Sequence, residues 1–253
     1  MRESFRTKLK SGQPQLGMWL SLGAPTVADL CRDIGFDWCL IDMEHTPNEV
    51  SDVRHQMYAL SQGPAATLVR PPWNDTVLVK RLLDAGLDSF IFPMVNSAEE
   101  AAAAVAATRY PPEGVRGVSM THSANRFGRR KDYLDKVADE IAVIVQIETE
   151  TALARVADIA AVPGVDGVFF GPADIAASLG VIGALEDPKV WDAIYSAAET
   201  AQARGTPVGT LTGSPDRIRE ALGRGFQFIA CGTDLTLLSR SLTTQLQDVR
   251  GTS

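Results

Sequence analysis

Leu83-Asp-Ala-Gly-Leu-Asp-Ser-Phe-Ile-Phe, residues 83–92, carries the turn from which the fold of this chain is read. An amphipathic stretch ends at Gly86, which tolerates the left-handed conformation that closes a helix, and the apolar run behind it is too short to be a second helix. The same phrase recurs as Arg32-Asp-Ile-Gly-Phe-Asp-Trp-Cys-Leu-Ile-Asp (32–42), Val162-Pro-Gly-Val-Asp-Gly-Val-Phe-Phe (162–170) and Gly223-Arg-Gly-Phe-Gln-Phe-Ile-Ala (223–230). Each reads as a helix end, a glycine and a strand, and repeated αβ units imply a parallel sheet. Working outward, eight apolar runs stand at 15–21, 37–42, 65–70, 89–95, 141–147, 167–171, 207–212 and 226–231, each followed by a helical pattern. A count of eight favours a closed (β/α)8 TIM barrel over a doubly wound sheet, as one α/β domain spanning 1–253. One connection is out of proportion. After the Ala-rich helix 97–108, residues 109–140 pass through Tyr110-Pro-Pro and an Arg-rich stretch before the fifth strand, and such excursions usually serve function or assembly.

Composition narrows the function. A chain of 253 residues with 45% hydrophobic content buries a large core, and a net charge of −7 without any basic block offers nothing to a nucleic-acid backbone or an anionic membrane. Small-molecule chemistry is the expectation. Met1-Arg-Glu-Ser-Phe-Arg-Thr-Lys-Leu-Lys is charged throughout, and no run approaches the roughly 18 apolar residues of a membrane helix, so a cytoplasmic protein is expected. Cys31, Cys39 and Cys231 are odd in number and scattered among apolar neighbours; they read as small core residues, not a disulfide framework or zinc motif.

Active sites of this fold gather at the C-terminal ends of the strands. The second strand ends in Asp42-Met-Glu44-His45, the third in Arg70-Pro-Pro, the fifth in Gln146-Ile-Glu148 and the sixth in Gly171-Pro-Ala-Asp174, while the first contributes Trp19. Glu148 and Asp174 each close a run of the kind buried on both faces, where an acid must be solvated, paired or metal-bound. With Gln146 they bring hard oxygen donors to one place, suited to an octahedral Mg²⁺ or Mn²⁺ completed by water and a chelating substrate. The alternative is that Glu148 pairs with an arginine and Asp174 caps a helix.

Other chemistries recede. None of the six lysines (Lys8, Lys10, Lys80, Lys131, Lys136, Lys189) follows a strand, which argues against a Schiff base. A retaining glycosidase would need paired carboxylates and aromatic platforms, yet the fourth strand ends in Met94-Val-Asn96 and aromatics are 7%. Phosphate binding stays open, because Gly213-Ser214-Pro215 and Gly232-Thr233 follow the last two strands, where barrels often hold phosphate.

The stretches Leu16-Gly-Met-Trp-Leu, Ile41-Asp-Met-Glu-His45, Val69-Arg-Pro, Leu82-Leu-Asp-Ala-Gly, Phe92-Pro-Met-Val-Asn, Gly114-Val-Arg-Gly, Val145-Gln-Ile-Glu-Thr and Phe170-Gly-Pro-Ala-Asp-Ile resemble the HpcH/HpaI aldolase family over nearly the whole chain. The resemblance is closest to its 4-hydroxy-2-oxoheptanedioate and 2-keto-3-deoxy sugar acid aldolases. It implies a class II aldolase dependent on a divalent cation (Mg²⁺, Mn²⁺ or Co²⁺), which joins or releases a pyruvate-type 2-oxo acid and an aldehyde. It further implies Glu148 and Asp174 as metal ligands, His45 as the base and Arg70 on the 2-oxo acid. Gln146 would stand beside the metal, Asp42 and Asp84 would support His45, the backbone near Ala173 would meet the substrate carboxylate, and Trp19 would line the site. The stretch Val118-Ser-Met-Thr-His-Ser-Ala-Asn-Arg126 departs from the expected composition of its loop. A lyase of the same barrel acting on a CoA thioester or phosphoenol substrate is the alternative.

Two further expectations concern histidines and assembly. His55, in Val53-Arg-His-Gln, reads as a solvated helix residue, and His122 is ambiguous. Leu235, Leu238, Leu242 and Leu246 form one apolar stripe at helical spacing near the C-terminus. That stripe either packs on its own barrel or, as the resemblance implies, is exchanged onto a neighbour in a homo-oligomer, a hexamer built from dimers or trimers.

Overall fold

The computed structural model describes residues 4–251, and the ends of the expected span 1–253 lie outside the described residues. The first half of the chain runs α1 (Phe5–Lys10), β1 (Gln15–Leu20), α2 (Pro25–Ile34), β2 (Trp38–Asp42), α3 (Val50–Leu60), β3 (Ala66–Arg70), α4 (Thr76–Ala85), β4 (Ser89–Phe92) and α5 (Ala98–Thr108). The second half runs α6 (Tyr133–Glu140), β5 (Ala142–Ile147), α7 (Glu150–Ala154), α8 (Val156–Ala160), β6 (Gly167–Phe170), α9 (Pro172–Ser178), α10 (Pro188–Gln202), β7 (Val208–Leu211), α11 (Pro215–Gly223), β8 (Phe228–Thr233) and α12 (Asp234–Arg250). Every strand is parallel to the next, and β8 pairs back with β1 to close an eight-stranded TIM barrel.

The expected strands form at the expected places because their side chains are buried on both faces. Gly35 and Gly86 end α2 and α4 in the left-handed region, at φ 105° and 117°. Inside the barrel Trp19, Trp38, Leu40, Leu68, Ile91, Ile144, Phe169 and Phe228 make one apolar cluster. Gly17 leaves room for it: a Cβ there would fall inside the Trp38 indole.

α1 closes the floor, the end where the strands begin. Phe5 and Leu9 enter the interior cluster, with the Phe5 ring 5.9 Å from both Trp38 and Phe228. The charges around those two residues hide the helix from a hydropathy reading.

The excursion before β5 also belongs to the floor, because α5 descends to it and β5 rises from it. There the fully buried Arg116 donates to Asp84 at 2.8 Å and to the Tyr133 hydroxyl at 3.1 Å, and its guanidinium stands 4.4 Å from the Tyr110 ring centroid. This placement rules out support of His45 by Asp84 of the same chain. Asp84 sits on the last turn of α4, at the opposite end of the barrel from His45, and within one chain it supports Arg116.

The apolar stripe of α12 does not pack on its own barrel. Leu235, Leu238, Leu242 and Leu246 are 49%, 47%, 61% and 49% exposed. Of the cysteines, Cys31 and Cys39 are buried core residues, whereas Cys231 is only half-buried, and none of the three forms a disulfide among the described residues. No helix among the described residues is long and apolar enough to cross a membrane.

Candidate active site

At the mouth, the ends of β2, β3, β5 and β6 bring together Asp42, Arg70, Gln146 and Glu148, with Asp174 in the first turn of α9. Trp19, Asp42, His45, Arg70, Gln146, Ala173 and Asp174 line a common cavity of about 400 Å³.

Arg70 is fixed before any ligand arrives. Its Nε and Nη2 donate to the two oxygens of Asp42 at 2.8 and 2.7 Å, and its Cζ lies 4.7 Å from the Trp19 ring centroid. Burial opposes the Asp42 charge, but the fork from Arg70 outweighs it and holds that carboxyl below its usual range. Nη1 lies 2.7 Å from Glu44 Oε2, an ion pair at an angle too poor for a directed hydrogen bond.

This geometry redistributes the expected roles. Both Asp42 oxygens serve Arg70, and one also accepts the Glu44 amide at 3.1 Å. The carboxylate within reach of the His45 imidazole is Glu44, with Nε2 to Oε2 at 3.9 Å. The His45 side chain is 68% exposed, at the lip of the cavity. His55 is exposed, as expected, and His122 is buried at the floor beside Asp84 and Tyr133.

Glu148 is buried, and no cation among the described residues is bonded to it. Its Oε2 accepts the Met94 amide at 2.7 Å and its Oε1 accepts Gln146 Nε2 at 2.7 Å. Met94 adopts φ 54°, a left-handed conformation that costs about 1–2 kcal/mol for a side-chain-bearing residue and here directs an N–H at the carboxylate. Even so, burial first, and then the charges of Glu44 and Asp174, push the Glu148 carboxyl up to about 8. Gln146 Oε1 is buried without a partner. Gly171 leaves the space open, since a Cβ there would lie 2.9 Å from Glu148 Oε1 and 3.0 Å from Gln146 Nε2.

These residues fit a hard divalent cation. Four acids (Asp42, Glu44, Glu148, Asp174) surround one fixed cation, Arg70, and an orphaned amide oxygen stands next to the most destabilised carboxylate. Among the described residues no group of three or more His, Cys, Asp or Glu side chains could hold a metal. Glu148 and Asp174 would therefore need water and substrate to complete the shell, the usual arrangement for Mg²⁺.

At the ends of β7 and β8 three backbone amides that could meet a phosphate are taken by local caps. Thr212 Oγ1 accepts Ser214 N at 3.2 Å, Ser214 Oγ accepts Arg217 N at 3.4 Å, and Thr233 Oγ1 accepts Thr236 N at 3.0 Å. Asp234 adds a negative charge at the same place, accepting Ser21 N and Leu22 N at 2.7 and 3.2 Å.

Three features escape the sequence. Glu44 stands in the quoted motif without an assigned role, and alternation along an extended segment could have aimed it with Asp42 at Arg70. The left-handed Met94 gives no sequence signal, because such conformations normally announce themselves through glycine. Gly171 is visible only as a glycine next to a proline.

Known proteins share the sequence and the fold of this chain. The sequence profile of the HpcH/HpaI aldolase/citrate lyase family matches residues 15–241. A 4-hydroxy-2-oxo-heptane-1,7-dioate aldolase of Shigella sonnei strain Ss046 is 46% identical over 242 residues, covering 95% of this chain and 92% of the relative. The crystal structure of an HpcH/HpaI aldolase/citrate lyase family protein from Burkholderia cenocepacia J2315 superposes with a TM-score of 0.93 at 39% identity, covering 97% of this chain and 98% of that one. The HpcH/HpaI aldolase from Desulfitobacterium hafniense DCB-2 superposes with a TM-score of 0.91 at 30% identity, covering 98% and 97%.

Proposed function

The chain belongs to the HpcH/HpaI aldolase/citrate lyase family, and on that basis we propose that it is a divalent-metal-dependent aldolase cleaving or forming 4-hydroxy-2-oxo acids. The observation that carries this reading is Glu148, buried, destabilised as an anion and facing Asp174, beside an arginine locked in place by Asp42. Mg²⁺, Mn²⁺ or Co²⁺ held by Glu148 and Asp174 would supply positive charge where the 2-oxo group gains negative charge.

The chain's own residues account for the rest. Asp42 takes two of the five Arg70 N–H groups and Glu44 only pairs in charge with Nη1, which leaves N–H groups on Nη1 and Nη2 for the oxygens of a 2-oxo acid. A guanidinium held this way stabilises developing charge without reorganising. Gln146, Ala173 and Trp19 bound the space for that acid. His45 at the lip takes the proton of the C4 hydroxyl as the C3–C4 bond breaks. C4 leaves as the aldehyde, the electron pair passes to the 2-oxo acid fragment as its enolate, and protonation at C3 gives the second product. Glu44 is placed to balance the imidazolium that results.

The alternative of a CoA thioester or phosphoenol substrate is not favoured: the relatives are named as aldolases, three amides at the ends of β7 and β8 are taken by Ser and Thr caps, and Asp234 adds a negative charge there. A cytoplasmic setting is consistent with scattered cysteines that form no disulfide among the described residues. The exposed leucines of α12 support a homo-oligomer, hexameric by resemblance, in which that helix packs on a neighbouring barrel and the neighbour's floor approaches the mouth. The test is a screen of metal-reconstituted protein for release of pyruvate from 4-hydroxy-2-oxo acids. Release that disappears with chelator supports the assignment; no release from any such acid contradicts it.

A further inference from the structure

The mouth cavity extends well beyond its reacting end. From Arg70 and Asp174 its space of about 400 Å³ runs toward the ends of β7 and β8, where Leu185, Glu186, Trp191, Leu211, Thr212 and Thr233 form the far wall. That wall carries no cation. Arg70 is the one arginine or lysine among the described residues lining the cavity, and two carboxylates already engage it.

A second guanidinium lies behind the wall and is held there. Arg217 stacks on Trp191 with its Cζ 4.6 Å from the ring centroid, while Glu186 Oε2 engages its Nη2 at 3.1 Å and Glu220 Oε2 engages its Nη1 at 2.6 Å. The segment bearing Glu186 is fixed in turn. Trp191 Nε1 donates to the Leu185 carbonyl at 2.8 Å, and Lys189 Nζ donates to the Leu179 carbonyl at 2.6 Å.

We infer that Glu186 sets the charge class of the substrate's tail: it puts a carboxylate on the wall and occupies Arg217, selecting 4-hydroxy-2-oxo acids with an uncharged tail over those ending in a second carboxylate. The inference rests on the aldolase reading above. A tail carboxylate entering this space would give up hydration and find apolar side chains, hydroxyls and Glu186, with no cation to replace the lost water. An alkyl or hydroxylated tail meets the opposite balance, gaining burial against Leu185, Trp191 and Leu211 and partners in Thr212 and Thr233. The tail preference thus departs from the dioate for which the Shigella sonnei relative is named.

A matched pair tests this: 4-hydroxy-2-oxoheptanoate and 4-hydroxy-2-oxoheptane-1,7-dioate, which differ only in the terminal carboxylate, assayed for kcat/KM with the full-length, metal-supplied protein. The wild type should favour the monoacid by about tenfold or more. Glu186→Ala, at a side chain 61% exposed, should raise the dioate's kcat/KM about tenfold by freeing Arg217 and leave the monoacid within about twofold. The double variant with Arg217→Gln should lose that gain, which separates release of Arg217 from mere removal of a negative charge. A wild type that prefers the dioate, a Glu186→Ala protein with an unchanged ratio, or a protein that exchanges pyruvate C3 protons yet cleaves neither acid overturns the inference. Absence of that exchange together with both cleavages overturns the aldolase reading instead.

Discussion

Asp42 holds Arg70 from the side, its two carboxylate oxygens meeting Nε and Nη2 at 2.8 and 2.7 Å with both side chains buried. The pair is a preformed part of the site whose two halves fail differently. Arg70→Lys cannot reproduce the fork and should lower kcat/KM by about 10²-fold or more, as expected when an electrostatic donor is lost. Asp42→Ala strands a buried guanidinium and should also lower the unfolding free energy by about 3–5 kcal/mol, read from urea denaturation. Wild-type stability in Asp42→Ala would show that the pair is not structural.

His45 stands at the lip and contacts no metal candidate, so His45→Ala should leave metal and pyruvate binding intact while cleavage falls roughly 10²-fold or more. Calorimetric titration with metal and steady-state pyruvate release measure the two effects. Loss of metal binding in this variant would identify His45 as a ligand.

Metal and pH should be coupled through Glu148. Its carboxyl is raised from an ordinary 4.5 to about 8 in the fold, first by burial. A raised folded value means that its contribution to stability is full below the unfolded value and is lost as pH rises through about 8. The metal-free protein should therefore melt at progressively lower temperature between about pH 5 and 8.5, and added Mn²⁺ should stabilise it more at the alkaline end. Thermal melts of wild type and Glu148→Gln measure this, the variant losing both the pH trend and the metal increment. A metal increment independent of pH would contradict the assignment of Glu148 as a ligand.

The α12 stripe predicts assembly. Leu242→Glu, on a residue 61% exposed in the single chain, should leave the barrel folded but shift light scattering toward the 27.2 kDa monomer and lower activity. A fully active monomer would reject an oligomeric active unit.

Much of the architecture was legible because a parallel barrel repeats one local event, an apolar run behind a helix end, often marked by a glycine as at Gly35 and Gly86. The candidate ligands stood out for a related reason: a polar residue ending a doubly buried strand, such as Glu148, has few places to go. Contacts between such ends were not. Asp42 could have served His45 or Arg70, and only the packed geometry shows its oxygens on Arg70. Asp84 lies on a helix's last turn, at the floor, and residue identity does not reveal that it stands far from His45 of its own chain. α1 was missed since Arg6, Lys8 and Lys10 mask the two residues, Phe5 and Leu9, that fill the barrel. The mask on Arg217 is equally silent in sequence, where Glu186 stands 31 positions away.

The most direct measurement is cleavage of a 4-hydroxy-2-oxo acid by thoroughly demetallated protein, before and after Mg²⁺, Mn²⁺ or Co²⁺ is restored, with borohydride added in parallel. The account predicts no pyruvate release without metal, recovery with it, and no covalent adduct trapped by borohydride, because none of the six lysines follows a barrel strand. Full turnover by the demetallated protein would contradict it.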